Sequence, residues 1–405
     1  MYVSADAISE VGRKSGRFVT GNVLALGTVS LVTDVSAEMV TAVLPLYLVA
    51  GLGLSPLAFG FLDGLYGGVT AFVRLLGGHA ADRWQRHKLV AGAGYLLSAM
   101  CKPLLLVVGT VPGIAMVLAA DRTGKGIRTA PRDALIALSS PAGGQGRAFG
   151  VHRAMDTAGA LLGPLVAAAI LVAAPGGYHA VFQVSTCVAI FAVLILALSV
   201  RGHVSALPRP APVRALRSSS YRRVCVLAVV LGVATLSDPF VYLLLQHRLD
   251  LPAGLFPLLP VGTAAAFLAL AVPLGWAGDR WGRWRVFLCG HLGLLVVYGL
   301  LLSPLDGTVL TVTVLAVHGA FYAATDGVLM AVAAPLLPEA GMAGGMAVLQ
   351  TGQAVGRFGC SVLFGAAWTW WGPTTALLSV SLALVVALAV GLVAGLGATV
   401  RQTAS

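Results

Sequence analysis

Two acidic side chains one helical turn apart, in an apolar stretch, are the first residues whose types and spacing could do chemistry. Asp34 and Glu38 stand at positions i and i+4, which share one face of a helix. Two carboxylates this close repel each other when both are ionised, so the pair favours holding a proton. We predict that Asp34 and Glu38, with Asp156 in a later apolar stretch, carry protons. The alternative is that they are fixed partners of neighbouring arginines.

A second pattern is a stripe of charge. Asp121, Lys125, Arg128 and Arg132 follow one another at offsets of four, three and four residues, which places them along one side of a helix. Such a stripe must either line a cavity, where it would bind an anionic solute, or form an internal lattice of salt bridges that holds helices together. The candidate solute-binding residues of this region are Lys102, Arg122, Lys125, Arg128 and Arg153.

The later part of the chain carries fewer ionisable residues within its apolar stretches. Its candidate solute contacts are Asp238, Tyr322, Asp326, Gln350 and Gln353. His318 is interpreted as a hydrogen-bonded packing residue, because a single histidine on an apolar helix rarely titrates as a relay. This asymmetry predicts that proton coupling lies in the first half of the chain, while the second half supplies hydrogen bonds and aromatic contacts to the solute.

The elements that position these residues are membrane helices. The chain of 405 residues is 58% hydrophobic and only 10% charged, with a mean hydropathy of +0.91. That leaves too little polar surface for a water-soluble globule. Stretches such as 181–200 and 377–396 contain no charged residue, and about twenty apolar residues suffice to cross a bilayer. The sequence therefore predicts an all-α membrane protein.

Apolar windows separated by polar or Gly/Pro-rich breaks predict twelve transmembrane helices in two six-helix bundles. The bundles cover residues 1–200 and 223–405, and a linker at 201–222, rich in Pro, Ser and Arg, joins them. The predicted spans are 21–50, 55–79, 89–108, 112–138, 147–174, 179–200, 223–247, 253–277, 286–303, 308–336, 343–369 and 374–398.

Lysine and arginine predict the orientation of these spans. They concentrate before the first span, around the central linker, and after the second and eighth spans. By the positive-inside rule, both termini and the linker are cytoplasmic. The same distribution accounts for the formal net charge of +11, so we expect contact with the lipid bilayer and no nucleic-acid partner.

One motif occurs twice, half a chain apart. The pattern Gly-x-x-x-Asp-Arg-x-x-Arg follows the second span and again the eighth, and the same spacing aligns Gly159 with Gly356. Such a duplication predicts two homologous halves packed side by side. The motif residues are Gly78, Asp82, Arg83 and Arg86 in the first copy, and Gly275, Asp279, Arg280 and Arg283 in the second.

Six plus six spans, inner termini and this repeated loop resemble the major facilitator superfamily of secondary transporters. The first copy departs from the family pattern by having Gln85 where a glycine is usual. The resemblance implies that the two loops form a cytoplasmic gate, whose charge contacts hold the outward-open state. The alternative is that they are only inside-positive anchors.

Two further motifs carry the resemblance. Gly159, Gly163 and Pro164 form a Gly-x-x-x-Gly-Pro pattern similar to the one associated with proton-driven antiporters of the family, although Gly-x-x-x-Gly is also a common packing device. Arg122 and Gly126 fit the family's Arg-x-x-Gln-Gly motif, with Lys125 in place of the glutamine.

The function implied is proton-coupled secondary transport of a small organic solute across the bacterial cytoplasmic (inner) membrane by alternating access. The antiporter-like motif favours an exporter. We expect the protein to work as a monomer. An alternative is a symporter that takes up an organic anion, for which the basic stripe is the argument. A further alternative is an intramembrane enzyme or a transporter-like receptor. No cofactor or metal is expected, because no nucleotide-binding loop or metal-ligand spacing is present.

Overall fold

The computed structural model is almost entirely helical and describes residues 20–84, 87–140, 145–202, 218–337 and 342–402. The first half contains α1 (Gly21–Leu46, extended by a π-helical turn, Tyr47–Gly51), α2 (Pro56–Trp84), α3 (His87–Leu104), α4 (Val111–Leu138), α5 (Gln145–Ala173) and α6 (Tyr178–Ser199). The second half contains α7 (Ser219–Val233), α8 (Asp238–Leu249), α9 (Leu258–Trp281), α10 (Arg283–Leu302), α11 (Gly307–Ala333) and α12 (Met342–Gln402).

Length and apolar composition identify eight segments in the described part of the chain that could cross a membrane. The number is smaller than the number of predicted spans for two visible reasons. The segment Gly345–Val393 contains two predicted spans, which meet at a kink where Gly372 has φ 83° and Pro373 follows. The helices α2, α3 and α4 are not among the eight, and the central part of α4 carries the charged stripe.

The predicted span 223–247 is interrupted, which the sequence analysis did not anticipate. Residues between α7 and α8 are not helical, and α8 starts with Asp238 followed by a proline. Unwound backbone within a membrane protein needs partners for its polar groups. Tyr298 of α10 supplies them: its hydroxyl accepts a hydrogen bond from the Leu236 N–H at 2.8 Å and donates one to the Ala234 carbonyl at 3.0 Å. The break therefore fixes Asp238 at the start of a helix.

Glycines bring α5 against α1. A methyl group at Gly159 would meet the backbone of Leu31, and one at Gly163 would meet the backbone of Val35 and Met39. The packing role of the Gly-x-x-x-Gly motif is thus visible, with Pro164 buried beside it.

The second half repeats this contact at the position that the duplication aligns. A methyl group at Gly356 of α12 would meet the backbone of Val229 and Gly232 in α7. The same kind of close backbone approach therefore occurs in both halves.

The two halves touch where α2 begins. Gly60 faces the carbonyl oxygen of Ser361 in α12, and Gly365 faces the backbone of Pro56. Phe59 and Phe240 pack edge to face across the same contact, with ring centroids 4.9 Å apart. At the opposite end of α9, Gly275 has no neighbour within 4 Å in the described part of the chain, beyond its own helix. The halves are therefore joined at the end where α2 begins.

We predict that Gly60→Ala forces α2 and α12 apart. The added methyl would overlap the Ser361 carbonyl oxygen, and overpacking of this kind costs about 1–3 kcal/mol. The melting temperature of the purified protein, followed by intrinsic fluorescence, should fall. Gly67→Ala is the matched control, because nothing lies within 4 Å of the position that its methyl would take. Equal melting of the two variants would contradict the packing argument.

Candidate functional site

Two cavities adjoin between the halves. The larger has a volume of about 440 Å³ and the smaller about 350 Å³, the size range of small-molecule sites. They have one wall in common, formed by side chains from α1, α8 and α11: Thr41, Asp238, Pro239, Tyr322 and Asp326.

All five candidate solute contacts of the second half line these cavities. Asp238, Tyr322 and Asp326 belong to the shared wall, and Gln350 and Gln353 line the larger cavity. The residues come from α8, α11 and α12, so the fold brings together positions that lie far apart in the sequence.

The Asp238 carboxylate is held by two donors from α11. Its Oδ1 atom accepts hydrogen bonds from His318 Nε2 at 2.9 Å and from the Tyr322 hydroxyl at 2.5 Å. His318 is completely buried, as expected of a hydrogen-bonded packing residue. Both donors bind the same oxygen, so they fix the direction of the carboxyl group.

Two residues of the larger cavity were missed as candidate site residues. Asp63 lies in α2, and its Oδ2 atom accepts a hydrogen bond of 2.7 Å from the hydroxyl of Ser361. Arg357 of α12 also lines this cavity, and its guanidinium carbon lies 5.7 Å from the centre of the Tyr322 ring. An ionisable residue in an apolar span is a functional candidate by default, and that rule would have identified both.

The three predicted proton carriers divide between two places. Glu38 lines the smaller cavity, with Lys125 and Asp34 as electrostatic neighbours. Asp34 of α1 and Asp156 of α5 are electrostatic neighbours. Two carboxylates near each other repel when both are ionised, which favours a proton on one of them.

Arginines surround this carboxyl pair at a greater distance. The guanidinium of Arg128 lies 3.8 Å from Asp34 Oδ1, and those of Arg132 and Arg153 each lie 3.8 Å from Asp156. These distances exceed those of ordinary hydrogen bonds. The Asp156 Oδ1 atom is buried and accepts no hydrogen bond from the described residues. The arginines therefore offset the charge of the pair without occupying all its acceptor sites.

Other charges of α4 form a separate ion cluster with α3. Asp121 Oδ2 lies 2.5 Å from Arg122 Nη2, and Asp121 Oδ1 lies 4.0 Å from Lys102 Nζ. Arg122 also stacks on the Tyr66 ring, with its guanidinium carbon 3.9 Å from the ring centre. These three charged side chains surround a void of only about 10 Å³, smaller than one solute molecule.

The candidate solute-binding cations of the first half therefore lie apart from the two cavities. Lys102, Arg122 and Arg128 are buried in ion pairs, and Arg153 is 80% exposed beside Asp156. Lys125 stands one turn after Asp121 in α4, but its acidic electrostatic neighbours are Glu38 and Asp34 of α1. No one of these five residues is a lining residue of the two cavities described above.

In the second copy of the repeated motif, Asp279 and Arg283 form a salt bridge across four residues. Arg283 donates hydrogen bonds of 2.9 and 3.0 Å to Asp279, and both side chains are well exposed. Arg280 lies over the ring of Trp276, and Gly275 precedes them in α9. In the first copy, Arg86 lies outside the described residues, and so do the side chains at Gly78, Asp82 and Arg83.

Comparison with known proteins assigns the family. The family model described as Major Facilitator Superfamily matches residues 26–358. The chain belongs to this superfamily. It is a secondary transporter and not an enzyme, as the resemblance implied. A transporter of this superfamily takes a small-molecule solute.

Relatives and solved structures agree with this assignment. An uncharacterised MFS-type transporter of Methanocaldococcus jannaschii is 39% identical over 150 residues, which is 37% of each chain. An uncharacterised protein of Mycobacterium tuberculosis is 28% identical over 89% of this chain and 90% of its own.

Among solved structures, the nucleoside transporter NupG has a TM-score of 0.80 at 13% identity, covering 93% of this chain and 99% of that one. A POT family transporter in complex with 5-aminolevulinic acid has a TM-score of 0.76 at 13% identity, over 92% and 95% of the two chains. At these identities, the similarity shows the fold.

We predict that Asp121→Asn destabilises the protein. The change leaves Arg122 and Lys102 buried with one partner fewer, and breaking a buried ion pair costs about 3–5 kcal/mol. Thermal unfolding of the purified protein measures this, and adding Lys102→Met should recover part of the loss.

Asp279→Asn is the matched control for this prediction. It breaks an exposed pair, and exposed pairs contribute only about 0–1 kcal/mol. A loss for Asp121→Asn no larger than that of the control would show that the α4 cluster does not hold the helices together.

Proposed function

We propose that this superfamily member is a proton-coupled exporter of a small organic solute that works by alternating access. In this proposal, twelve spans form two bundles, at 1–200 and 223–405, and the linker and both termini lie in the cytoplasm of a bacterial cell. The protein acts as a monomer in the cytoplasmic membrane. The observation that carries the proposal is the Asp34–Asp156 carboxyl pair between α1 and α5, one helical turn from a residue of the solute cavity.

The coupling argument follows from where these acids lie. In this proposal the Asp34–Asp156 pair holds one proton, and losing it leaves two neighbouring negative charges that Arg128, Arg132 and Arg153 offset from 3.8 Å. Glu38 is one helical turn further along α1 and faces the smaller cavity. A cation at the cavity or a proton at the pair would each relieve this charge, so the two would compete. Competition of this kind is the basis of antiport.

The organic-anion symporter is less well supported by the contacts of the basic stripe. Two of its cations are engaged with acids of their own half, Arg128 with Asp34 and Arg132 with Asp156. Beside the stripe, Lys102 and Arg122 pair with Asp121. A solute anion would have to displace these carboxylates. The stripe therefore fits the internal lattice better than an anion site.

We predict that the double substitution Asp34→Asn with Glu38→Gln abolishes solute accumulation driven by a pH gradient in reconstituted vesicles. Solute exchange at equal pH on both sides should be less affected, because the cavity wall on α8 and α11 is unchanged. Asp306→Asn is the control, since Asp306 lies in the loop before α11 and caps the Gly307 N–H. Unaltered gradient-driven transport in the double variant would refute the assignment.

We also propose that the two repeated loops gate the cytoplasmic side. With the topology above, the contact between α2 and α12 lies at the outer end, and a methyl group at Gly275 near the inner end of α9 would meet no described neighbour. These two observations support an inward-open arrangement. The Asp279–Arg283 pair lies at the junction of α9 and α10, and both side chains are exposed. Closing the inner side would bring such loops against the other half.

Asp82→Asn should therefore increase the inward-open population. A cysteine placed at Ala354, which lines the larger cavity, reports this by its rate of labelling with a membrane-impermeant maleimide from the cytoplasmic side. The exposed Cys187 and Cys289 are replaced by serine beforehand. Faster labelling is expected, and an unchanged rate in a variant that reaches the membrane would leave the loop as a topological anchor.

A further inference from the structure

We propose that the solute is an organic cation, with its charged centre between Asp238 and Asp326 and its apolar body in the smaller cavity. This inference rests on the proposed function and names the substrate class of the same site.

The acids of the cavities outnumber the cations. Four carboxyl groups line the two cavities, whereas Arg357 is the one cation among their lining residues. Two of the acids have other partners: Glu38 has cations of α3 and α4 around it, and Asp63 accepts a bond from Ser361 at the contact between the halves. Asp238 and Asp326 remain, and both belong to the wall that the cavities share.

The orientation of Asp238 leaves one oxygen available. His318 and Tyr322 both bind Oδ1, while Oδ2 takes no hydrogen bond from the residues that the structure describes. A carboxylate fixed by two donors loses little further freedom on binding, and that favours recognition. The wall therefore presents an oriented acceptor to a cation.

Asp326 is a stronger indication, because it has neither a hydrogen bond nor an ion pair with the described part of the chain. It lies well inside α11, more than one turn from either end of the helix, and its side chain is exposed to the cavity. A charge in a membrane span is costly without a counter-ion. A solute cation would be that counter-ion.

The smaller cavity accounts for the rest of the solute. Tyr242, Phe256 and Phe267 line it together with alanine and proline side chains. Aromatic faces attract cations as well as apolar groups. The arrangement of two acids at one wall and aromatic rings beyond it suits an amphipathic monocation, with the charge at the wall and the hydrocarbon part among the rings.

Arg357 makes the proposal more specific. It lines only the larger of the two cavities and acts electrostatically on Asp238, so it competes with a solute cation for the same carboxylate. Its removal should therefore strengthen binding of a cation. An anion-binding site would behave in the opposite way, because Arg357 would then be its main attractive charge.

Two ions of the same shape and opposite charge test this directly. Binding of tetraphenylphosphonium and of tetraphenylborate to the purified full-length protein is measured by equilibrium dialysis. We expect saturable binding of the cation, weakened about tenfold by Asp238→Asn or Asp326→Asn and strengthened by Arg357→Gln. A tenfold change is a conservative expectation for the loss of one charge at contact distance in a partly buried site.

Asp250→Asn is the matched control. It removes the same charge at the other end of α8, where residue 250 has φ 47°, a conformation that asparagine tolerates well. Unchanged cation affinity in both cavity variants would overturn the proposal, and so would saturable tetraphenylborate binding that Arg357→Gln abolishes. Because Asp326 has no partner to lose among the described residues, its substitution should leave the fold intact.

Transport assays separate this inference from the function on which it rests. If the cation binds through Asp238 and Asp326 but no pH gradient moves it in vesicles, proton-coupled transport fails and the ligand class stands. If a gradient moves neutral or anionic compounds while the protein binds no tetraphenylphosphonium, the ligand class fails and the transport function stands.

Discussion

The close approach of α1 and α5 is the constraint on which the rest of the proposed site depends. Gly159 and Gly163 present bare backbone to α1, and Asp156 lies one helical turn before the first of them, on the same side of α5. Asp34 lies on the facing surface of α1. Close packing of the two helices brings Asp34 and Asp156 near enough to act on each other electrostatically. A glycine motif that looks like simple packing therefore also sets the distance between two acids.

The two halves have equivalent glycine contacts between helices but carry different residues beside them. Gly356 packs against Gly232 much as Gly159 packs against Leu31, yet the residue three positions earlier is Gln353 instead of an aspartate. An amide beside the α7 backbone needs no proton and can face the larger cavity. The first half thus keeps the cations of α3 and α4 within its own helices, whereas the second half directs Asp238, Asp326 and the amides of α12 towards the solute cavities.

Much of this could be predicted from the sequence, for identifiable reasons. Apolar spans, the duplication and the charged residues inside spans are local patterns, so the helical class and the cavity residues of α8, α11 and α12 were found. Whether a cation joins the salt-bridge lattice or lines a cavity depends on which carboxylate of another helix lies beside it. Spacing along α4 could not show that Lys125 lies near Glu38.

The break before Asp238 depends on Tyr298, which lies in another helix, although the Ser-Asp-Pro sequence at 237–239 signals a helix start. Asp63 was visible in the sequence and was overlooked.

Alternating access requires the contacts within each half to persist while contacts between the halves break. The two kinds of contact differ here in a way that meets this requirement. Within the first half, α1 and α5 meet through glycine backbone and charges that are costly to expose. Between the halves, α2 and α12 also meet through glycines, but the polar links there are few: Ser361 to Asp63 at 2.7 Å, and the Leu57 N–H to the Thr369 hydroxyl at 3.0 Å. Neutral or singly charged hydrogen bonds of this kind contribute about 0.5–3 kcal/mol each and can be exchanged for water. The contact between the halves can therefore open without separating the acids that would hold the proton.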